Sequence, residues 1–463
     1  MTTTQGETPT DAAADPATGV EVLDLDRAHV FHSWSAQRTL TPLPIARTEG
    51  TAVWDYDGRR YLDFSSQLVY TNVGHQHPRV VAAIQEQAGR MCTIAPQHAN
   101  DVRGQAAQRI TARTPAGLDW VFFTSTGAEA VENAIRMARL HTGRRKIIST
   151  YRSYHGNTAA AIVATGDPRR WPNDVGIAGH VHVFGPFPYR SPFWSADDAE
   201  ECERALSHLR QVIEFEGPET VAAILLESVP GTAGVIPPPP GFLDGVRQLC
   251  DEFGILWIAD EVMAGFGRTG SWFAFQHWGA VPDLISFAKG VNSGYVPLGG
   301  VILSQAVYES FLDRPYPGGS TYSGHPLACA AAVATLDAME EEGMIEHARK
   351  LGEDVVRPGL QELADRHPVV GQVRGLGMFW ALDLVRDRSS RQMLVPYNAS
   401  GAANAPMAEL AAACRRRGLL AITSQNRLHL VPPCNVSVDE LTEALGAVDD
   451  ALGEIDHYYT GAP

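Results

Sequence analysis

The chain reads as an α/β protein, with a large domain on a mostly parallel sheet covered by helices and a smaller α+β domain beside it. Three observations predict this. From about residue 76 to 335, short β-rich apolar runs alternate with helical stretches, the pattern of parallel strands joined by helical crossovers. From about 340 onward that alternation gives way to helix, strand, helix, strand. The 463 residues, 44% hydrophobic and 19% charged, permit two to four domains and a sizeable core in an ordinary soluble enzyme.

The N-terminal MTTTQGETPTDAAADPATG has neither a basic start nor an apolar stretch, so residues 1–20 are expected to be a disordered lead-in and not a signal peptide. Residues 21–75 join the small domain, and within them TAVWDYDGRRYLDF predicts two short strands around an Asp-Gly turn. In the large domain, 76–335, the runs WVFFT, KIIST, VHVFG, VAAILLES, GILWIAD, LISFAK and GGVILS predict strands. Segments such as HPRVVAAIQEQAGRM, GAEAVENAIRMARLHTG and GFLDGVRQLCDEFG predict the helices between them. In the small domain, 336–463, EEGMIEHARKLGEDVVRPGLQELADRH predicts a helix, VRGLGMFWALDLV a strand and RLHLVPP a second strand. The PPPP at 237–240 is a stiff loop.

Charge narrows the partners. With 53 acidic against 37 basic residues the net charge is −16, which argues against nucleic acid and anionic membranes. The longest basic run, Arg415 to Arg417, suits the last turn of a helix. Six scattered cysteines without a CxxC pair indicate neither a disulfide framework nor a zinc ribbon, and fit a reducing cytoplasm. No window approaches eighteen uncharged apolar residues, so no membrane span is expected.

Only three of the 37 basic residues are lysines: Lys146, Lys289 and Lys350. Lysine kept at a strand end in an arginine-rich chain suggests an amine wanted as a nucleophile, because guanidinium stays protonated. Three strand ends in order deliver Glu227, Asp260 and Lys289 to the edge where ligands of such sheets bind. Asp260 and Glu261, adjacent on one strand, point to opposite sides, one facing the site and the other serving structure. Upstream, Thr126 and Glu129 form a T-x-x-E capping box, and Ala130, Ala134, Met137 and Ala138 line one face of the helix it starts. Free amides there, among Ser125, Thr126, Gly127 and Ala128, suit a phosphate. No GxxxxGK[ST] pattern occurs, so this is not an ordinary nucleoside triphosphate site. An amine nucleophile, a carboxylate for a ring nitrogen and a phosphate cradle are the parts that pyridoxal 5'-phosphate requires.

In chain order, FTSTGAEAVENAIRMAR, YHG, ILLESVPGTAG, IADEVMAGFGRTG, FAKG and TYSGHPLACA resemble the class III aminotransferases, of pyridoxal-phosphate fold type I, over about residues 28 to 455. The resemblance implies a homodimer with active sites at the subunit interface, and leaves a tetramer open. It matches Lys289 to the Schiff-base lysine and proton shuttle, and Asp260 to the partner of the pyridine nitrogen. Gly127 and Ala128 match the phosphate-binding pair, and Thr321 the threonine that reaches the phosphate from the other subunit. Tyr154 matches the aromatic stacked on the cofactor ring, Val262 the residue on its other face, and Glu227 the glutamate near substrate.

Two departures stand out. Met263 replaces a glutamine that often follows DEV, and a thioether is a poor hydrogen-bonding group. His429 holds the place of the arginine that usually grips a carboxylate, and Arg427, two residues earlier on the same strand face, is expected to take over that task. The pattern is most similar to the taurine and ω-amino acid branch, moving an amino group from an ω-amino acid or amine such as taurine or β-alanine to pyruvate or 2-oxoglutarate. Trp34 and Tyr70 fall where relatives line the substrate pocket. An aminomutase, racemase or decarboxylating transaminase would share all these residues. A Rossmann oxidoreductase is the distant alternative, on the GxG of RGLGMF. His75 and His77 lack a third ligand, so no metal is expected.

Overall fold

The computed structural model describes residues 18–174 and 176–462, so most of the expected disordered lead-in lies outside the described residues. The remainder of it departs from expectation, because helix α1 already begins at Gly19 and runs to His29, closed by a Thr18–Glu21 capping box. Strands β1 (Ile45–Glu49), β2 (Ala52–Asp55) and β3 (Arg60–Asp63) form an antiparallel meander, of which β2 and β3 are the predicted pair. A distorted single turn, α2 (Ser66–Val69), follows, with Ser66, Gln67 and Val69 all at positive φ.

Helices α3 (Pro78–Arg90) and α4 (Asp101–Thr111) precede the central sheet. In chain order the sheet's elements are β4 (Trp120–Thr124), α5 (Gly127–Thr142), β5 (Lys146–Thr150), α6 (Ala159–Ala164), β6 (His180–Val183), α7 (Asp198–Glu216), β7 (Val221–Glu227), α8 (Phe242–Phe253), β8 (Leu256–Asp260), β9 (Leu284–Phe287) and β10 (Gly299–Leu303). The seven strands lie in the order β4-β10-β9-β8-β7-β5-β6. Five of them, β5 to β9, are parallel; β10 runs antiparallel to both β9 and β4. The short link from Phe287 to Gly299 explains the reversal, since a parallel return needs a dozen or more residues and usually a helix. Successive residues feed opposite cores: Ile148, Ile224 and Trp257 pack on one face, Ile147, Ala223 and Ile258 on the other. Both faces are therefore buried, as a parallel sheet requires.

Past α9 (Gln305–Glu309), the long α10 (Pro326–Glu341) packs on α3 and α4. The single helix expected next is α11 (Met344–Leu351) and α12 (Arg357–Arg366) joined by a π turn at Gly352–Val356. Pro358 in the first turn of α12 has no N–H for the preceding turn, which loosens the ladder there. The strand expected across VRGLGMFWALDLV is instead an antiparallel hairpin, β11 (Val370–Leu376) and β12 (Phe379–Asp387), turning at Gly377 and Met378. Of the GxG glycines, Gly375 thus lies within β11 and Gly377 in the turn to the antiparallel β12, with no helix following, which removes the Rossmann alternative. Strand β13 (Gln392–Met393), α13 (Ala405–Arg416), β14 (Leu419–Leu420), β15 (Ile422–Ser424), β16 (Arg427–Leu430) and α14 (Val438–Ile455) complete the chain. Arg415 and Arg416 lie in the last turn of α13, and β16 sits between β12 and β15.

Candidate active site

Register brings the three strand ends together: Glu227 of β7 lies beside Asp260 of β8, and Asp260 beside Ser286 of β9. Lys289 follows β9 in a left-handed conformation, φ 48°. Burial pushes its amine below the ordinary lysine range, with Arg169 adding to the effect and Asp260 and Glu227 opposing it. Glu227 accepts from the Tyr154 amide (3.0 Å) and the Gly231 amide (2.9 Å), and burial pushes its carboxyl up. Asp260 and Glu261 diverge as expected. Glu261 accepts from the amides of Ala274 (2.9 Å) and Phe275 (3.0 Å) and is pushed up to about 7, chiefly by burial.

Asp260 is held by a group the sequence reading passed over. His155 Nδ1 lies 2.7 Å from its Oδ2, while Oδ1 accepts from Val262 N at 3.0 Å. His155 stands beside Tyr154 in the YHG stretch, and that adjacency was the available signal. Beside it, a Cβ on Gly156 would come within 2.7 Å of Ala128, so YHG packs directly on the start of α5.

At that helix start, Thr126 Oγ1 accepts from Glu129 N (3.2 Å), but the Glu129 carboxylate reaches Ser125 N (2.8 Å) instead of closing the expected box on Thr126. The Ser125 amide is thereby occupied. Gly127 and Ala128, in the first helical turn, have amides without an intrahelical acceptor. A Cβ on Gly127 would lie 2.8 Å from Val262 and 3.5 Å from Ala288, which sets the helix end against the residue preceding Lys289.

The structure places the remaining predicted residues unevenly. Arg169 Cζ sits 3.6 Å from the Tyr154 ring centroid and 6.0 Å from that of Trp34, so Trp34, itself 63% exposed, borders the same cleft. Arg169 gave no sequence signal. Arg427 and His429 are buried on one face of β16, donating to or facing Thr232 O (3.1 Å) and Gly231 O (3.2 Å). Burial pushes Arg427 down to about 10 and His429 down to about 4. Arg427 Nε and His429 Nδ1 are buried without partners among the described residues. Met263 packs its sulfur against Gly231. Tyr70 packs against Gly294, past the Lys289 turn, and Thr321 is exposed. His75 and His77 face Asp63 (2.8 Å) and Glu342 (3.2 Å). Among the described residues no group of three or more His, Cys, Asp or Glu is placed to hold a metal.

A strand-end lysine of lowered basicity, a buried carboxylate fixed by a histidine and a helix start with free amides are the parts a pyridoxal-phosphate-dependent enzyme of fold type I needs. The Aminotransferase class-III family model matches residues 34–452. A taurine–pyruvate aminotransferase of Rhodobacter capsulatus is 34% identical over 476 aligned positions, covering 95% of this chain and 98% of that one. The crystal structure of a taurine:2-oxoglutarate aminotransferase from Bifidobacterium kashiwanohense, in complex with PLP and glutamate, superposes with a TM-score of 0.93 at 40% identity, covering 96% of this chain and all of that one. An (S)-enantioselective omega-transaminase from Thermomicrobium roseum gives 0.88 at 36% identity, covering 95% of this chain and 100% of that one. The chain belongs to the class III aminotransferases; it is a pyridoxal-phosphate-dependent transaminase.

Proposed function

We propose that the donor is an ω-amino acid carrying an acidic group, such as taurine or β-alanine, and the acceptor pyruvate or 2-oxoglutarate. The observation that carries this is Arg427. Its guanidinium is buried, stays charged near neutrality and, among the described residues, meets only the Thr232 carbonyl by hydrogen bond, leaving Nε for an anion. His429, pushed to about 4, is neutral at the same pH and is a poor substitute. Relatives named for taurine support the same reading.

The residues fit the cofactor. Gly127, Ala128 and the hydroxyls of Ser125 and Thr126 would hold its phosphate, with Thr321 added by a partner subunit. Asp260 would meet the ring nitrogen, Tyr154 and Val262 would flank the ring, and Glu227 would stand beside the substrate. When bound, the cofactor supplies an aldehyde for the amine and a ring that withdraws electrons. Lys289 Nζ, less basic than an exposed lysine, would take a proton from the donor carbon bearing the amino group and carry it to the cofactor side. Asp260, fixed by His155, holds its carboxyl group aimed along one direction. Arg427 orients the acid group.

We read the enzyme as a homodimer, because Thr321, Trp34 and Tyr322 are exposed in the single chain. A cytoplasmic setting fits the six free cysteines. Among the described residues no helix is long and apolar enough to cross a membrane. The test is the visible spectrum of the cofactor-loaded protein. Loss of the band on adding taurine or β-alanine, and its return with pyruvate or 2-oxoglutarate, is the expected result; a band unmoved by any acidic amine would overturn the donor class.

A further inference from the structure

Lys289 is a non-glycine residue at φ 48°, preceded by Ala288 at φ −166° and ψ −147°. Such a conformation is strained for a residue with a side chain and persists only where the surroundings over-determine it. The surroundings are specific. A Cβ on the next residue, Gly290, would lie 2.3 Å from Asn72 Nδ2 and 3.1 Å from Phe266 Cβ, so the backbone of the turn rests directly on the Asn72 amide. Asn72 cannot move away easily. Its Nδ2 donates to Phe266 O (2.7 Å), its Oδ1 accepts from Arg268 Nη2 (2.6 Å), and its carbonyl accepts from Cys434 N (2.8 Å). One residue on, Val73 N donates to Ser293 Oγ at 3.1 Å, at the far end of the same turn.

Arg268 is fully buried, yet among the described residues it forms no ion pair with a carboxylate. Its donors go to Asn72 Oδ1, Ser66 Oγ (3.2 Å) and the carbonyls of Met378 (3.2 Å) and Pro432. These acceptors come from the N-terminal segment, the β11–β12 hairpin and the stretch after β16. A buried cation stabilises poorly for its desolvation cost, so the geometry it enforces is its main contribution.

We propose that Asn72, clamped by Arg268, is a positioning residue that wedges under the Lys289–Gly290 turn and fixes where the lysine amine stands. The proposal rests on the reading of Lys289 as the reactive amine. It predicts that loosening the wedge changes the amine's surroundings as well as its rate, which a purely structural role would not do.

The experiment compares wild type, Asn72→Ala and Lys289→Ala, each loaded with pyridoxal phosphate. It reads the pH midpoint of the cofactor's visible absorption, the thermal midpoint, and kcat and KM for taurine or β-alanine. Asn72→Ala is expected to lower kcat between about tenfold and a hundredfold with little change in KM, and to move the absorption midpoint. A folded Asn72→Ala protein with wild-type kcat and midpoint overturns the proposal. Should that variant not fold, Gly290→Ala decides, because its methyl is forced onto the Asn72 amide; an unmoved midpoint there overturns it equally. If Lys289→Ala keeps the wild-type titration, the lysine assignment itself has failed.

Discussion

His155 Nδ1 lies 2.7 Å from Asp260 Oδ2, with both side chains buried. Together with the Val262 amide on Oδ1, this fixes the carboxylate's rotamer at the end of β8. A hydrogen bond to a charged group is worth about 1.5–3 kcal/mol. His155→Ala should therefore lower kcat roughly tenfold to a hundredfold, and Asp260→Ala by more. Single-turnover rates with taurine check this; equal losses would mean that the histidine does more than orient the carboxylate.

Lys289→Ala should abolish turnover and leave the fold intact, because the amine serves chemistry and not the core. Activity and circular dichroism of the purified variant decide. Full activity would end the assignment.

Arg427→Ala should raise KM for acidic donors or acceptors more than for a neutral amine of similar size, with a loss of about tenfold or more. His429→Gln should affect both classes alike, since the imidazole is neutral at working pH. Steady-state kinetics on a matched pair of donors separates the two. Equal effects in Arg427→Ala would place acid recognition elsewhere, with Arg169 the next cation to test.

Stability should fall with acid partly through His429. Burial first, and then Arg427 beside it, push its folded value to about 4, while the unfolded chain titrates at an ordinary value near 6.5. Below about 6.5 the unfolded state binds a proton that the folded state refuses, so stability rises with pH through this window and is lost on the way down to about 4. The contribution is up to about 3 kcal/mol. Denaturant melts at pH 7.5 and pH 5 should show a smaller loss in His429→Gln than in wild type. An identical loss would mean that the histidine is not buried neutral.

Much of this was legible in the sequence, and the failures have causes. Apolar runs marked most strands of the central sheet, since strands covered on both faces have no polar side to hide them, whereas the edge strand β6 alternates histidine with valine and is only half-buried. The direction of β10 was not visible in its composition; it follows from a link too short for a crossover. The β11–β12 hairpin stayed hidden because Gly377 and Met378 are flanked by apolar residues on both sides. Lys289, Asp260 and Glu227 could be read as strand ends. Arg169 could not, because it reaches Tyr154 from a short 3-10 turn, Pro168–Asn173, capped by Asp167, and no periodic pattern predicts where so short a turn points.

One pairing bears on how the protein is made. Leu419 and Leu420 of β14 pair in parallel with Leu62 and Asp63 of β3, although about 360 residues of chain lie between them. At ordinary rates of synthesis the β1–β3 meander leaves the ribosome on the order of 20–70 s before its fourth strand exists. Throughout that interval the edge of β3 is open to any passing strand, and a chain stopped short of residue 419 never closes it. Protection by a chaperone should therefore matter most for this small sheet, and the yield of native protein should depend on how quickly the chain between β3 and β14 is translated.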